Sequence, residues 1–129
     1  MKQFDKLLQI ARDPRPFGLR KNTRVYNHII TILLKGVANT GYSDKRTYHV
    51  ETSEVHNVLA AAGISHKCYN NAPRGGACGE HVELVGRVRR DAIAAVNDYL
   101  IANAGKYGGK FCEEWKLLED YEYKIKNAK

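Results

Sequence analysis

The sequence has 129 residues and contains no long apolar run, little proline and no low-complexity segment. Its longest apolar stretch, residues 29–34, is interrupted by Thr31 and is far shorter than the roughly 18 residues that a membrane-spanning helix needs. Only three prolines are present, which excludes collagen-like and mucin-like chains. Because 43% of the residues are hydrophobic and 27% are charged, we expect one globular domain over residues 1–129 and no membrane contact.

Cysteine is also scarce, and its count is odd. Cys68, Cys78 and Cys112 cannot all pair within one chain, so we expect free thiols and no disulfide framework. The first residues include the charges of Lys2 and Asp5 where a secretory signal would have an apolar core. A cytoplasmic location is therefore predicted, that of the host cell if the chain is encoded by a phage.

Positive charge is what the chain has in excess. Lys and Arg number 21 against 14 Asp and Glu, a net charge of +7. Residues 1–51 carry ten basic and four acidic side chains, and residues 87–111 carry five and two. Such a balance is typical of proteins that contact polyanions, although net charge also serves solubility.

Hydrophobic periodicity predicts an α+β fold with several helices and a small antiparallel sheet. Apolar residues recur at helical spacing in residues 2–12, 25–37, 53–62, 87–104 and 111–126. Strands are predicted at residues 46–50, 65–70 and 80–85, and the last two form a β-hairpin (65–85) with a long tip. Residues 13–24 are predicted to be an extended basic connector, and residues 36–45 a loop. The β-branched run at 29–32 also suits a strand, and the stripe that includes Phe111 and Trp115 suggests core packing.

The hairpin tip is the first candidate binding site. Three glycines within five residues allow backbone amides to converge on an anion, and an arginine adds a planar group suited to phosphate. The residues expected to contact the ligand are Asn71, Arg74, Gly75 and Gly76. The spacing is not that of a P-loop, and a flexible turn with a solvated arginine is the alternative.

The strands that flank this tip carry metal-type side chains. His66 and Cys68, like Cys78 and His81, are spaced so that four ligands could converge on a zinc ion. The paired Cys-x-x-Cys spacing of common zinc sites is absent, so ordinary thiols and surface histidines are the favoured interpretation, and we expect no metal and no cofactor. Cys78 with His81 also permits a thiol nucleophile and its base.

Two basic sets are the remaining candidates for contact with nucleic acid. The first comprises Arg12, Arg15, Arg20, Lys21 and Arg24, interleaved with Phe17 and Tyr26, whose rings are expected to stack on bases. The second comprises Arg87, Arg89 and Arg90 at a helix start, where positive charge opposes the helix dipole at a cost of roughly 0.3–1 kcal/mol. This unfavourable placement suggests an external anionic partner.

The order of helix, hairpin and helix in residues 53–104 resembles two nucleic-acid-binding families. In winged-helix proteins a helix enters the groove and the next hairpin forms a wing, roles that would fall to residues 55–57 and to the Arg74 loop. The segment Gly63–Ile64–Ser65–His66 is similar to the Gly-Ser-His segment of toxins of HicA type, whose histidine cleaves RNA. The tip sequence 71–79 also resembles turns of small phage proteins.

These patterns predict a small, basic, non-enzymatic protein that binds nucleic acid or a phosphate-bearing nucleotide. The expected setting is a phage or mobile-element inhibitor of a host defence nucleoprotein, which acts by occupancy. The alternatives are a small RNase of HicA-like type, a thiol enzyme, and a protein–protein interaction module that docks an acidic or nucleic-acid-binding surface. Formation of a homo-oligomer through an apolar helix is a further expectation.

Overall fold

The computed structural model describes residues 2–41, 48–70, 80–106 and 111–127. Within these ranges the chain forms five α-helices and a three-stranded antiparallel sheet, which confirms the predicted α+β class. The elements are α1 (Gln3–Arg12), α2 (Arg24–Lys35), β1 (Val37–Gly41), α3 (Tyr48–Ala61), β2 (His66–Asn70), β3 (Glu80–Leu84), α4 (Gly86–Ala102) and α5 (Phe111–Lys126). No described helix is both long enough and apolar enough to cross a membrane.

The sheet has the strand order β1-β3-β2, so β3 pairs with both other strands. The predicted hairpin of β2 and β3 is confirmed, with His66 opposite Leu84 and Cys68 opposite Val82. Burial alternates along β3, where Val82 and Leu84 face the core. Because directly opposed residues share a face, His66 and Cys68 lie on this core side of the sheet.

The core is made mainly by α2, together with apolar residues of every other helix and of β1 and β3. Thr23 caps α2 by accepting a hydrogen bond from the Tyr26 amide at 3.2 Å, and Gly36 ends the helix at φ +82°. The β-branched run is helical because its isoleucines are buried, and tertiary packing outweighs their weak helix propensity. Burial, with the nearby charge of Glu122, raises the pKa of Tyr26 to about 12.

Two sequence-based assignments between α2 and α3 are wrong. Residues 48–50, predicted as the end of a strand, form the first turn of α3, and residues 42–47 lie outside the described ranges. The predicted loop at 36–45 contains β1, which pairs with β3. The strand was missed because turn-forming residues dominate it and its partner lies far along the chain. Thr40 is buried in β1, and its hydroxyl lies 2.7 Å from that of Thr52.

The connector differs from the extended segment that was predicted. Residues Arg15–Phe17 form a 3₁₀ turn, in which the amides of Phe17 and Leu19 both donate to the Pro14 carbonyl. Gly18 ends the turn at φ +81°, a left-handed conformation that glycine adopts without steric cost. The stretch has no helical period in its sequence, so its shape depends on prolines, glycine and packing.

The prediction of core packing fails for Trp115, whose side chain is 65% exposed. The inner stripe of α5 is formed by Leu117, Tyr121 and Ile125, which recur every four residues. Trp115 lies two residues before this stripe and therefore points away from it. It borders a cleft of about 270 Å³ against the end of α2.

Candidate functional site

The connector, residues 13–24, and the helix ends beside it carry a set of cationic side chains on an ordered backbone. We call this set, Arg12, Arg15, Arg20, Lys21 and Arg24, the connector surface, and all five residues are exposed. Pro14 is buried, and Phe17 and Leu19 pack against the core. Because the segment is anchored by apolar contacts, its charged groups extend outward from fixed positions.

Internal partners neutralise little of this charge. The Arg15 guanidinium lies 3.3 Å from Asp13, and that of Arg24 lies 3.4 Å from Glu51, yet the two arginine side chains are 83% and 80% exposed. Exposed ion pairs of this kind contribute only about 0–1 kcal/mol. Among the described residues, Arg12, Arg20 and Lys21 form no ion pair, and the Lys21 ammonium donates to the Lys126 carbonyl. The connector surface therefore remains strongly positive.

The aromatic residues of the connector surface do not have the predicted role. Tyr26 is fully buried, and its hydroxyl donates to the Ala11 carbonyl. Phe17 is half-buried against the core. Stacking of bases needs an open ring face, which a buried Tyr26 does not offer. The chemistry that this surface offers is therefore that of exposed cations.

The second basic set opens α4, as predicted. Val85 offers no side-chain cap, and the first turn contains no acid. Arg89 already has an acidic partner within the protein, because its guanidinium lies 3.1 Å from Glu83. Its side chain also covers Gly36. Arg87 and Arg90 are exposed, and Arg87 borders a cleft of about 280 Å³ with Lys2.

The two basic sets do not converge on one site. Arg24 lies at the start of α2, whereas Arg89 packs on Gly36 just beyond its end. With a rise of 1.5 Å per residue, this helix separates the two sets by about 18 Å. The molecule therefore has two basic surfaces, of which the connector surface has the higher charge.

The third predicted set, at the hairpin tip, lies outside the described residues, as does Cys78. The structure therefore gives no geometry for Asn71, Arg74, Gly75 and Gly76. Their contact with phosphate stays a prediction.

A cluster of two histidines and a cysteine lies between α3 and β2. We call His56, His66 and Cys68 the His–Cys cluster. The Nδ1 atom of His56 is 2.8 Å from Nε2 of His66 and 3.8 Å from Sγ of Cys68, and the three ligand atoms all lie within 4.8 Å of one another. His56 and Cys68 are exposed and His66 is half-buried.

The hydrogen bonds of His66 define its tautomer. Its Nδ1 is 2.7 Å from the Ile64 carbonyl, which can only accept, so Nδ1 carries the proton and donates. The Nε2 atom of the neutral ring then has a lone pair, which accepts from His56 Nδ1. The backbone thus holds His66 with its basic nitrogen directed toward the other two residues of the cluster.

This arrangement differs from the predicted zinc set. His81 is opposite Tyr69 in the ladder, whereas Cys68 is opposite Val82, so His81 lies on the other face of the sheet. The fold brings His66 and Cys68 together with His56 instead. Sequence reasoning missed His56 because no short motif includes it. The residue that could have indicated the role of His56 is Gly63, because a chain that reverses direction there brings the end of α3 beside β2.

The environment of Cys68 does not activate it as a nucleophile. Partial desolvation by neighbouring atoms, together with the negative charge of Glu80, raises the pKa of its thiol. Reactive cysteines have a lowered pKa because cations or helix N-termini stabilise the thiolate. This environment therefore does not favour covalent chemistry at Cys68.

Comparison of the chain with protein-family models, with curated proteins and with solved structures finds no match. Arguments about function consequently depend on the surfaces described above.

Proposed function

We propose that the protein binds nucleic acid through the connector surface, by contacts with phosphate groups and without turnover. The observation that carries the proposal is an anchored segment with five exposed cations, three of which have no acidic partner among the described residues. Fixed cations match the regular negative charge of a nucleic-acid backbone, and such contacts are largely independent of sequence. Arg87 and Arg90 would add contacts on a longer ligand.

The winged-helix analogy would place α3 in the groove, and the charge of α3 argues against this. Its sequence contains Glu51 and Glu54 and neither lysine nor arginine. Glutamates near phosphates would repel them. It is also the only described helix between β1 and β2, whereas a helix-turn-helix needs two. The contact is therefore assigned to the connector surface.

The alternative of a HicA-like RNase depends on His66 as a catalyst. General acid–base cleavage needs two groups that each reach their own proton on the substrate. The rings of His56 and His66 instead face each other across a single hydrogen bond of 2.8 Å. This contact favours a binding protein, and turnover of RNA remains an outcome that the experiment below would reveal.

Fluorescence anisotropy with labelled duplex DNA, single-stranded DNA and RNA tests the proposal. The variant Arg12→Gln/Arg15→Gln/Arg20→Gln removes three charges from the connector surface. The matched control, Lys35→Gln/Lys67→Gln/Lys116→Gln, removes three exposed charges elsewhere. We expect the connector variant to lose on the order of 100-fold in affinity at ~200 mM salt, and its salt slope to fall by about 3.

The control variant should bind nearly as well as the wild type. An equal loss in both variants would show that only net charge matters, which contradicts the proposed site. Absence of binding to all three nucleic acids, with selective capture of one protein, would favour the alternative of a protein–protein interaction module. Cleavage of the labelled RNA that is lost in His66→Ala would favour the RNase.

A further inference from the structure

The His–Cys cluster differs chemically from the connector surface, because it contains neither lysine nor arginine and offers two imidazole nitrogens and one sulfur. Tetrahedral zinc has bonds of about 2.0–2.1 Å to nitrogen and about 2.3 Å to sulfur. These lengths place two nitrogen ligands about 3.4 Å apart, and a nitrogen and a sulfur about 3.6 Å apart. The observed separations are 2.8 Å and 3.8 Å. The third pair, Nε2 of His66 and Sγ of Cys68, lies within 4.8 Å, so movements of up to roughly one ångström would complete the geometry.

His66 is already oriented as metal-binding histidines are. Histidine ligands usually donate their second ring N–H to a carboxylate or a backbone carbonyl, which fixes the tautomer and raises the basicity of the binding nitrogen. The Ile64 carbonyl provides this contact to Nδ1 of His66. His56 needs only the tautomer with its proton on Nε2, and its exposed position allows water to accept that proton's hydrogen bond.

We propose that Nδ1 of His56, Nε2 of His66 and Sγ of Cys68 bind a zinc-class divalent cation, with solvent in the fourth position. Thiolate and imidazole donors select zinc and similar transition metals, whereas magnesium and calcium require oxygen ligands. Binding replaces water ligands of the hydrated ion with one metal–sulfur and two metal–nitrogen bonds, and the released waters and the proton of the Cys68 thiol pass to solvent.

Binding of the metal ion is expected to cross-link α3 and β2. His56 belongs to the helix, and His66 and Cys68 belong to the strand, so one ion would join two elements that the chain connects only through the turn at Gly63. An ion that binds the folded chain more tightly than the unfolded chain raises the unfolding temperature. This inference is independent of the proposed contact with nucleic acid.

Cobalt(II) titration tests the site, because thiolate-to-cobalt charge transfer absorbs in the near ultraviolet. The background variant Cys78→Ser/Cys112→Ser leaves Cys68 as the sole thiol. After treatment with a chelator and a reductant, this protein should bind one cobalt ion with a charge-transfer band, and zinc should displace the cobalt. Its unfolding temperature should rise with added zinc.

In the same background, His56→Ala, His66→Ala and Cys68→Ser should each weaken cobalt binding by at least about 100-fold. His81→Ala is the matched control, and it should keep the band because His81 lies on the opposite face of the sheet. Far-ultraviolet circular dichroism of the metal-free variants confirms that they are folded. A band that survives both His56→Ala and His66→Ala, or no band in the background variant, would overturn the proposal.

Discussion

The connector surface and the His–Cys cluster are proposed to bind their ligands in two ways that have little in common physically. The connector surface presents permanent charges at separate points on the exterior, and each acts through space on any phosphate nearby. In the cluster, three atoms lie within 4.8 Å of one another, and they bind only when all three reach the same point. The first should respond gradually to substitution and strongly to salt. The second should fail when any one residue is lost.

The largest expected difference between the two regions is their response to salt. If four phosphates are contacted, raising the salt from ~50 to ~200 mM should lower nucleic-acid affinity about 100-fold. Cobalt affinity should change far less over the same range, because short metal–ligand bonds are poorly screened. Anisotropy and absorption titrations measure the two responses. Equal salt sensitivity would mean that the cluster binds by diffuse charge attraction.

Two glycine-to-alanine substitutions should each disturb only one of the two regions, because each introduces backbone strain locally. Gly18 ends the connector turn at φ +81°, and Gly63 precedes β2 at φ +73°, with no heavy atom within 4 Å of an added methyl group in either case. Alanine should therefore cost about 1–2 kcal/mol of unfolding free energy at each position, through its dihedral angles alone.

Gly18→Ala should weaken nucleic-acid binding and leave cobalt binding intact, and Gly63→Ala should do the reverse. Urea denaturation measures the stability, with Gly105→Ala as the control at a glycine of open surroundings and no positive φ. If both variants weakened the same ligand, the two surfaces would not be independent.

A smaller effect is expected for a single charge. Arg20→Gln removes one exposed cation and should lower nucleic-acid affinity about 4-fold at ~200 mM salt, with a decrease of about 1 in the salt slope. Anisotropy over several salt concentrations gives both values. A loss of 100-fold from this one change would indicate a specific pocket at Arg20, which contradicts a distributed surface.

The smallest expected effect concerns a substitution in the His–Cys cluster, which should not change nucleic-acid affinity. His56→Ala should leave nucleic-acid affinity within experimental error of the wild type, because His56 lies outside the connector surface and the cluster contains neither lysine nor arginine. The same anisotropy assay checks this directly. A substantial loss would place the nucleic acid against α3, as the winged-helix analogy implies.

Local signals in the sequence were sufficient to predict most of the fold. The apolar stripe of α5 predicted its bounds at Phe111 and Lys126, and the turn-rich loop between alternating strands predicted the hairpin. For α2, the apolar spacing over residues 25–37 predicted the helix that the structure places at Arg24–Lys35. In each case the residues that determine the element are neighbours in the chain.

Features that depend on distant partners could not be predicted in this way. β1 exists because β3 pairs with it, and the inner side of α5 is determined by the core that it meets, which leaves Trp115 outside. For the candidate sites, composition indicated the connector cations but not the burial of Tyr26. His56 joined the cluster only through the packing of α3 beside β2.

The strand order also implies an order of folding. β3 is the last of the three strands in sequence and the only one that pairs with both others. The β2–β3 ladder closes over residues 71–79 alone, whereas Ala38 must find Val82 across more than forty residues. Since loop closure costs more entropy as the loop lengthens, we expect the hairpin to form first and β1 to join its free edge afterwards. A nascent chain without β3 would therefore have no template on which either of the other strands could assemble.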